Sequence, residues 1–284
     1  MTATEPGVAT RPGPEAGAEL ERALTVDSQG RPDFARQLAH QFPLDAIDRS
    51  DYARLRVWPP RQPAAAILHA AGGTLMPAGD PAAAEALAAA VEQSGWRVLV
   101  GPAELGEGIL EWLGRGLFRR RVASRQQRFM VATEPVDVPP LGGLRLARHD
   151  DLEALTDMAC QLHVEDRMGP PISRSGRASV RARLRHSISR QSTWVVESRG
   201  QAVAKVDLAL CSPRRGAQIA GVYVCPAWRA QGLAAAAVAA ITARLLADGL
   251  LGVTLHVRAD NERARGAYER AGFVDRGAWT LAIH

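Results

Sequence analysis

The sequence predicts an α/β protein with a mixed sheet, divided into two domains. Strand-like and helix-like patterns alternate along both halves of the chain, which is typical of layered α/β architectures. The segment 134–143, EPVDVPPLGG, interrupts these patterns with three prolines and two glycines. The chain has 284 residues, 46% of them hydrophobic and 23% charged, a composition that suits globular domains and excludes collagen, coiled coil and wholesale disorder.

We expect a disordered tail over residues 1–19, a first domain over 20–133, a linker over 134–143 and a second domain over 144–284. The tail is rich in Pro, Gly, Thr, Ala and Glu and lacks the apolar run of a secretory signal. The longest apolar run, Leu233 to Ile241, is far shorter than the roughly 20 residues that span a bilayer. These features predict a cytoplasmic protein without a membrane segment.

From its second strand onward, the first half predicts the order β-α-β-α. Asp80 can cap an alanine-rich helix that Gly95 ends. Gly72-Gly73 follows the second strand, but without a third glycine or a following cation it does not predict a phosphate site. Strands are predicted over residues 54–58, 64–70 and 96–101, and helices over residues 81–94 and 103–113.

The second half predicts more strands, some of them antiparallel. Asp150 with Glu153 forms a capping-box pattern before an amphipathic helix. Arg199-Gly200 marks a hairpin turn, and Gly272 ends the last helix. Strands are predicted over residues 144–147, 193–198, 202–210, 218–224, 252–257 and 279–283, and the two later helices over residues 233–247 and 262–271.

Cysteine usage and charge give little indication of partners. The three cysteines, Cys160, Cys211 and Cys225, are far apart and form no Cys-x-x-Cys or Cys/His pattern, so we expect neither disulfides nor a metal site. The formal net charge is +5, and Lys205 is the only lysine among the 35 Lys and Arg residues. An excess of arginine and alanine also reflects a GC-rich genome, so this charge does not by itself indicate a nucleic-acid partner.

The segment 221–241, GVYVCPAWRAQGLAAAAVAAI, carries the strongest chemical signal. A strand ends at Cys225-Pro226, a turn follows, and a helix begins at Leu233. The unsatisfied N–H groups of the first helical turn and the helix dipole favour a phosphate or pyrophosphate there. Gly232 and Ala234 are small enough for the backbone to approach that anion closely, and Arg229 adds a positive charge.

Two strings in this half resemble a known family. The string V-x-P-x-x-R-x-x-G-L-A from Val224 to Ala234 is similar to the acetyl-coenzyme A loop of the GNAT family of N-acetyltransferases. The string N-x-x-A-x-x-x-Y-x-x-x-G-F from Asn261 to Phe273 resembles that family's second motif at the expected distance. The resemblance covers about residues 144–284. It implies the GNAT fold and transfer of an acetyl group from acetyl-coenzyme A to an amine by direct attack on the thioester.

The same resemblance implies the roles of individual residues. Main-chain groups of Val222 and Val224 would meet the pantetheine arm, and the Val224 N–H would polarise the thioester carbonyl. Tyr268 matches the general acid near the sulfur, and a packed structural tyrosine is the alternative. Asn261 would contact coenzyme A, and it also suits a helix N-cap. The remaining cofactor-binding residues would be Arg229, Ala230, Gln231, Gly232, Leu233 and Ala234.

The general base does not follow from the motifs. GNAT enzymes often carry a glutamate near the position of Ala220, where this sequence has no carboxylate. Glu165 and Asp166, which follow the first helix of the second domain, are the candidate bases, acting directly or through water. A solvated surface pair is the alternative for both. His163 and His256 are interpreted as packed residues.

Two acid-free segments rich in arginine lie between Glu111 and Glu134 and between Asp166 and Glu197. The second, which includes Arg181 and Arg185, lies where the resemblance places the cover of the acceptor site. It would attract an acidic acceptor or coenzyme A phosphates, whereas a solvated face is the interpretation we favour because aromatic residues are sparse.

The expected partners are a coenzyme A thioester and an amine acceptor, without membrane or nucleic acid. A non-catalytic acyl-coenzyme A sensor and a nucleic-acid-binding accessory protein are the alternative functions. The first domain resembles the amino-terminal domain of two-domain GNAT proteins, which implies a degenerate GNAT-like half in tandem with the second.

Overall fold

The computed structural model describes residues 8–115 and 122–284 and shows an α/β architecture with a mixed sheet. Within these residues the α-helices are α1 (Pro14–Thr25), α2 (Phe34–Ala39), α3 (Gln41–Asp48), α4 (Ala84–Val91), α5 (Ala103–Leu113), α6 (Leu152–Glu165), α7 (Arg174–Ser189), α8 (Leu233–Ala247) and α9 (Glu262–Arg270). The strands are β1 (Leu55–Trp58), β2 (Ala65–Ala70), β3 (Thr74–Gly79), β4 (Val98–Pro102), β5 (Ala123–Ala132), β6 (Leu144–Leu146), β7 (Thr193–Ser198), β8 (Gln201–Ser212), β9 (Gly216–Val224), β10 (Val253–Arg258) and β11 (Val274–Ile283).

Contacts divide the chain into two compact units that do not follow chain order. The first contains the described residues up to Met130 together with His256–Asp260 and Asp275–His284, and the second contains Val131–Leu255 and Asn261–Val274. The predicted ranges assign the last strand to the carboxy-terminal domain instead. Sequence patterns reveal that a strand exists but not which strand it pairs with, and this is why the two divisions differ.

The first unit has the strand order β1-β2-β3-β4-β11-β5. Strands β1, β2 and β3 pair antiparallel, β3 and β4 pair in parallel, and β11 pairs antiparallel with β4. The predicted order β-α-β-α omits β3, whose Pro77 and Gly79 weaken a strand pattern. Gly72 and Gly73, both with φ of +82°, form the β2–β3 turn.

The predicted disordered tail is wrong for residues 14–19, which belong to α1. Pro14 occupies the first helical turn, where its fixed φ suits a helix start, and Leu20 and Leu24 bury one face of the helix completely. Before the helix, the Thr10 N–H donates to the Val57 carbonyl at 3.1 Å. Composition alone missed these contacts because a short amphipathic stripe follows the Pro- and Gly-rich residues directly. Residues 1–7 of the predicted tail lie outside the described residues.

Aromatic side chains pack together in the first unit. The Trp279 ring lies 5.0 Å from Phe129 and 4.3 Å from His256, measured between ring centroids. Burial lowers the pKa of His256 from its ordinary value of 6.5 to about 3, so the imidazole is neutral at pH 7. This environment agrees with the interpretation of His256 as a packed residue.

The second unit has the strand order β10-β9-β8-β7-β6, antiparallel except for the parallel β9–β10 pair. Helices α6 and α7 pack against β7 through a core that includes Leu155, Leu184 and Val195. The capping interaction before α6 is two residues earlier than the predicted Asp150/Glu153 pair: Arg148 is the N-cap of the 3-10 turn His149–Asp151, and the Asp151 carboxylate accepts a hydrogen bond from the Arg148 N–H at 2.7 Å. Helix α8 has the predicted bounds.

Cys160, Cys211 and Cys225 are free thiols. In residues 8–115 and 122–284, no cluster of three metal-ligating side chains occurs and no helix is both long and apolar enough to cross a bilayer. Residues 116–121, part of the first arginine-rich segment, lie outside the described residues.

Candidate active site

The end of β9 separates from β10 beside the turn that the sequence singles out. The parallel register between the two strands runs from Ala217–Val253 to Ile219–Leu255, and Gly221, with φ of +61°, lies just beyond it. The Cys225 N–H donates to the Val203 carbonyl at 2.9 Å, so Val224 and its partner on β8 form a non-hydrogen-bonded pair. The N–H and C=O of Val224 therefore point away from β8, toward the open edge.

The turn after β9 presents backbone donors without a side-chain cap. Ala230 and Gly232 have φ values of +63° and +77°, and Gly232 occupies the N-cap of α8, where no side chain accepts a hydrogen bond. A Cβ on Gly232 would have no described atom within 4 Å, so the space in front of the helix start is open. An uncapped helix N-terminus facing open space fits a phosphate group.

The comparisons with known proteins agree with this geometry. Residues 157–273 match the family model described as acetyltransferase (GNAT) family, and this range contains β9, the turn and α9. Residues 157–273 form a GNAT acetyltransferase domain. No curated protein sequence matches the chain.

Solved structures extend the likeness in fold to the whole chain. A GCN5-related N-acetyltransferase from Sphaerobacter thermophilus is 17% identical, with 100% of this chain and 96% of that chain covered and a TM-score of 0.58. A GNAT-family acetyltransferase from Colwellia psychrerythraea is 13% identical, with 98% of both chains covered and a TM-score of 0.56. A GNAT-family structure from Novosphingobium aromaticivorans is 24% identical, with 78% and 87% covered and a TM-score of 0.50. The fold is thus GNAT-like over nearly the whole chain, consistent with a tandem arrangement.

Arg229, in the turn after β9, contacts both the end of β9 and the end of α6. Its Nε donates to the Val224 carbonyl at 2.8 Å, and its Nη2 lies 2.8 and 3.0 Å from the two carboxylate oxygens of Glu165. The guanidinium also lies 5.2 Å from the ring centroid of Tyr223, whose hydroxyl donates to Gln161. The hydrogen bond to Glu165 raises the pKa of Arg229. The predicted base Glu165 is therefore engaged by the predicted phosphate-binding arginine.

The remaining predicted binding residues surround the same turn. The exposed Gln231 donates its side-chain amide to the Ala227 carbonyl at 3.3 Å. Leu233 and Ala234 begin α8 and are half-buried. Asn261 caps α9, because its Oδ1 accepts a hydrogen bond from the Ala264 N–H at 3.1 Å. The structural alternative for Asn261 is thus confirmed, and its contact with coenzyme A stays a prediction.

Two features of its surroundings keep the phenol of Tyr268 protonated. Burial raises the pKa of its phenol above the ordinary value of about 10, and the negative charge of Asp166 raises it further. The side chain is half-buried, and its ring centroid lies 6.4 Å from that of Phe273. The phenol is therefore protonated at neutral pH. Asp166 ends α6 as its C-cap residue, next to Glu165.

The second arginine-rich segment forms α7 and is partly neutralised by α6. Arg177 pairs with Asp157 at 2.6 Å and with Glu153 at 3.5 Å, and Arg181 also pairs with Glu153. Arg185 is exposed. Although this segment contains no acidic residue, carboxylates of the preceding helix pair with Arg177 and Arg181. A charge reversal at Arg181 would therefore break an ion pair within the chain.

Sequence reasoning missed a charged group buried beside β9. Lys205 on β8 is 1% exposed, and its Nζ donates to the carboxylate of Asp207 and, at 2.9 Å, to the Gly221 carbonyl. Asp207 also accepts a hydrogen bond from the Thr193 hydroxyl at 2.9 Å. One signal could have found this group, since Lys205 is the only lysine of the chain and falls within a strand pattern.

The first unit contains a comparable strand-to-helix connection with different chemistry. Asp80 precedes the short 3-10 helix Pro81–Ala83 that leads into α4, and its Oδ1 accepts a hydrogen bond from the Ala82 N–H at 2.9 Å. Pro81 has no N–H to offer. A carboxylate at a helix start supplies the negative charge that an anionic ligand would otherwise bring, so this connection does not favour a phosphate.

Proposed function

We propose that the protein is an acetyl-coenzyme A-dependent N-acetyltransferase that transfers an acetyl group to a primary amine, of a small molecule or a protein. The observation that carries this proposal is the uncapped turn at Gly232 beside the open end of β9, within a GNAT domain. The start of α8 offers backbone donors for a diphosphate. The open end of β9 offers main-chain groups for the pantetheine arm and its thioester.

In the proposed complex the backbone does most of the binding. The N–H groups of residues 232–234 bind the diphosphate, with Arg229 nearby as a positive charge. Main-chain groups of Val222 and Val224 hold the pantetheine arm, and the outward-facing Val224 N–H donates to the thioester oxygen. A donor fixed in that position stabilises the negative charge that develops as the carbonyl carbon becomes tetrahedral.

The chemical step needs a base for the amine and an acid for the thiolate. The amine nitrogen attacks the thioester carbon, the carbon–sulfur bond breaks, and Tyr268 gives its phenolic proton to the departing sulfur. A carboxylate accepts the proton that the amine loses, directly or through water. Of the two proposed bases, we favour Asp166 because its charge acts on Tyr268 and raises the pKa of that phenol. Glu165 remains the second candidate.

Release of free thiol from acetyl-coenzyme A in the presence of a panel of primary amines tests the function. We expect amine-dependent release with at least one acceptor, and the acetylated amine in the same molar amount. Binding of acetyl-coenzyme A without release with any amine would support the sensor alternative instead. Salt-dependent retention on DNA or RNA without binding of coenzyme A would support the nucleic-acid alternative.

Replacing Tyr268 with Phe removes the acid and little else, because the ring remains. We expect kcat to fall by a factor on the order of 100 while the Kd of coenzyme A changes less than about threefold. In the wild-type enzyme, deprotonation of Tyr268 should cause no loss of activity below about pH 10. The pKa of this phenol is raised, and the protonated form is the active one. An unchanged kcat at saturating substrates would mean that Tyr268 only packs.

The two units should differ in ligand binding. Since Asp80 caps the helix start in the first unit while Gly232 leaves its counterpart open, calorimetry should give one coenzyme A per chain. The Asp80→Asn variant controls for the charge and should keep the same stoichiometry, because Pro81 still offers no donor. A stoichiometry of two would show that the first unit is not a degenerate half.

A further inference from the structure

The group formed by Lys205, Asp207 and Thr193 has no part in the mechanism above, although it contains a buried charge. The Lys205 ammonium is shielded almost completely from solvent, while the side chain of Asp207 is 24% exposed. Removing a charge from water costs several kcal/mol unless partners compensate for it. Asp207 and the Gly221 carbonyl provide that compensation here. Such a group contributes little net stability, so a specific geometric role is the better reason for its presence.

The group lies directly against the bulge in β9. Lys205 pairs with Tyr223 and Asp207 pairs with Ala220, so Gly221 and Val222 together lie opposite Val206. This extra residue defines a β-bulge, which bends its strand and redirects the residues that follow. The bulge consists of Gly221 and Val222, and it lies between Ala220 and the last two residues of β9, Tyr223 and Val224.

Gly221 fits this arrangement both in conformation and in space. Its φ of +61° lies in the left-handed region, and a Cβ there would lie 2.5 Å from Asp207 Oδ2 and 3.0 Å from Lys205 Nζ. The side chains of the group therefore pack onto the backbone of the bulge itself. Any shift of the ammonium would shift the carbonyl that it holds.

We propose that Lys205 is a positioning residue for acetyl transfer. By donating to the Gly221 carbonyl, it fixes the bulge that aims the N–H groups of Val222 and Val224 at the thioester, and Asp207 balances its charge. This inference rests on the proposed function. Lysine suits the position because its ammonium is compact and can donate to two acceptors in different directions, whereas the planar guanidinium of arginine needs more room.

The double variant Lys205→Met, Asp207→Asn tests the inference, because it removes the ammonium without leaving an unpaired carboxylate. We expect kcat to fall about 10- to 100-fold, since a displacement of about 1 Å at the reacting groups has effects of this size. The Kd of coenzyme A should change less than about threefold, because the turn at residues 229–234 keeps its own contacts. Lys205→Arg should not restore kcat. Arg128→Met, which breaks an ion pair with Asp275 in the first unit, should leave both quantities unchanged.

Amide hydrogen exchange of the ligand-free protein tests the inference without any activity. In the double variant, exchange should accelerate in residues 220–225 and stay at the wild-type rate in α8 and in α6. Unchanged exchange in residues 220–225, or an unchanged kcat in an active enzyme, would overturn the inference. A wild-type protein without transferase activity would overturn the proposed function instead, and the exchange result would still decide whether Lys205 holds the bulge.

Discussion

Replacing Gly232 with Asp is expected to weaken coenzyme A binding by at least about 100-fold. The new carboxylate would stand at the N-cap of α8, accept the N–H groups that the proposed diphosphate uses, and place a negative charge against it. Two like charges 4 Å apart interact by roughly 4 kcal/mol near a protein surface. Asp tolerates the left-handed backbone of position 232 better than most residues, so the fold should survive.

The Gly232→Asn variant separates charge from shape. Asn has nearly the same size, tolerates the same backbone and can also cap the helix, but it carries no charge. We expect it to lose at most about tenfold in affinity, and the difference between the two variants should shrink as salt is added. Calorimetric titration with coenzyme A measures both, and melting temperatures check the fold. Wild-type affinity in the Asp variant would mean that the turn does not bind the diphosphate.

The parts of the site that the sequence predicted are those set by local chemistry. The strand ending at Val224, the turn that contains Gly232 and the bounds of α8 all follow from turn residues, helix termination and hydrophobic patterning within about 30 residues. The GNAT motifs lie in the same stretch, so the family was recognisable as well.

Contacts between distant residues could not be predicted in this way. The pair of Arg229 with Glu165 joins residues 64 positions apart, and nothing in either local pattern indicates it. The group around Lys205 depends on the register between β8 and β9, which is fixed by a bulge rather than by alternation. Strand β3 was missed for a different reason, since a proline and a glycine concealed its alternation.

The last ten residues are the clearest case of a distant pairing, and deleting residues 275–284 is expected to unfold the first unit. Strand β11 pairs with β4 over five positions, from Trp279–Pro102 to Ile283–Val98. Ala282 is completely buried in the core that contains Leu99 and Leu105. The deletion would remove a strand from the sheet of this unit and leave the edge of β4 and its apolar face open to water.

The size of the effect follows from the groups removed. Trp279, which is 9% exposed and stacks on Phe129, should alone account for about 3–5 kcal/mol of the free energy of unfolding. The lost burial of Thr280 and Ala282 and the lost ladder with β4 add to this. The total approaches the 5–15 kcal/mol by which typical proteins are stable. The isolated segment 20–133 should fail to fold for the same reason, although the sequence alone predicts it as a domain.

Thermal unfolding and amide exchange in α4 and α5 measure this prediction. The deletion should abolish amide protection in both helices. Trp279→Ala in the full chain should lower the melting temperature, but the protein should still unfold cooperatively. Ala278→Ser, at the exposed neighbouring position of the same strand, should leave the melting temperature within about 1 °C, because surface substitutions usually change stability little. Protected α4 and α5 in the shortened chain would show that the first unit folds without β11, as the division at residues 134–143 predicts.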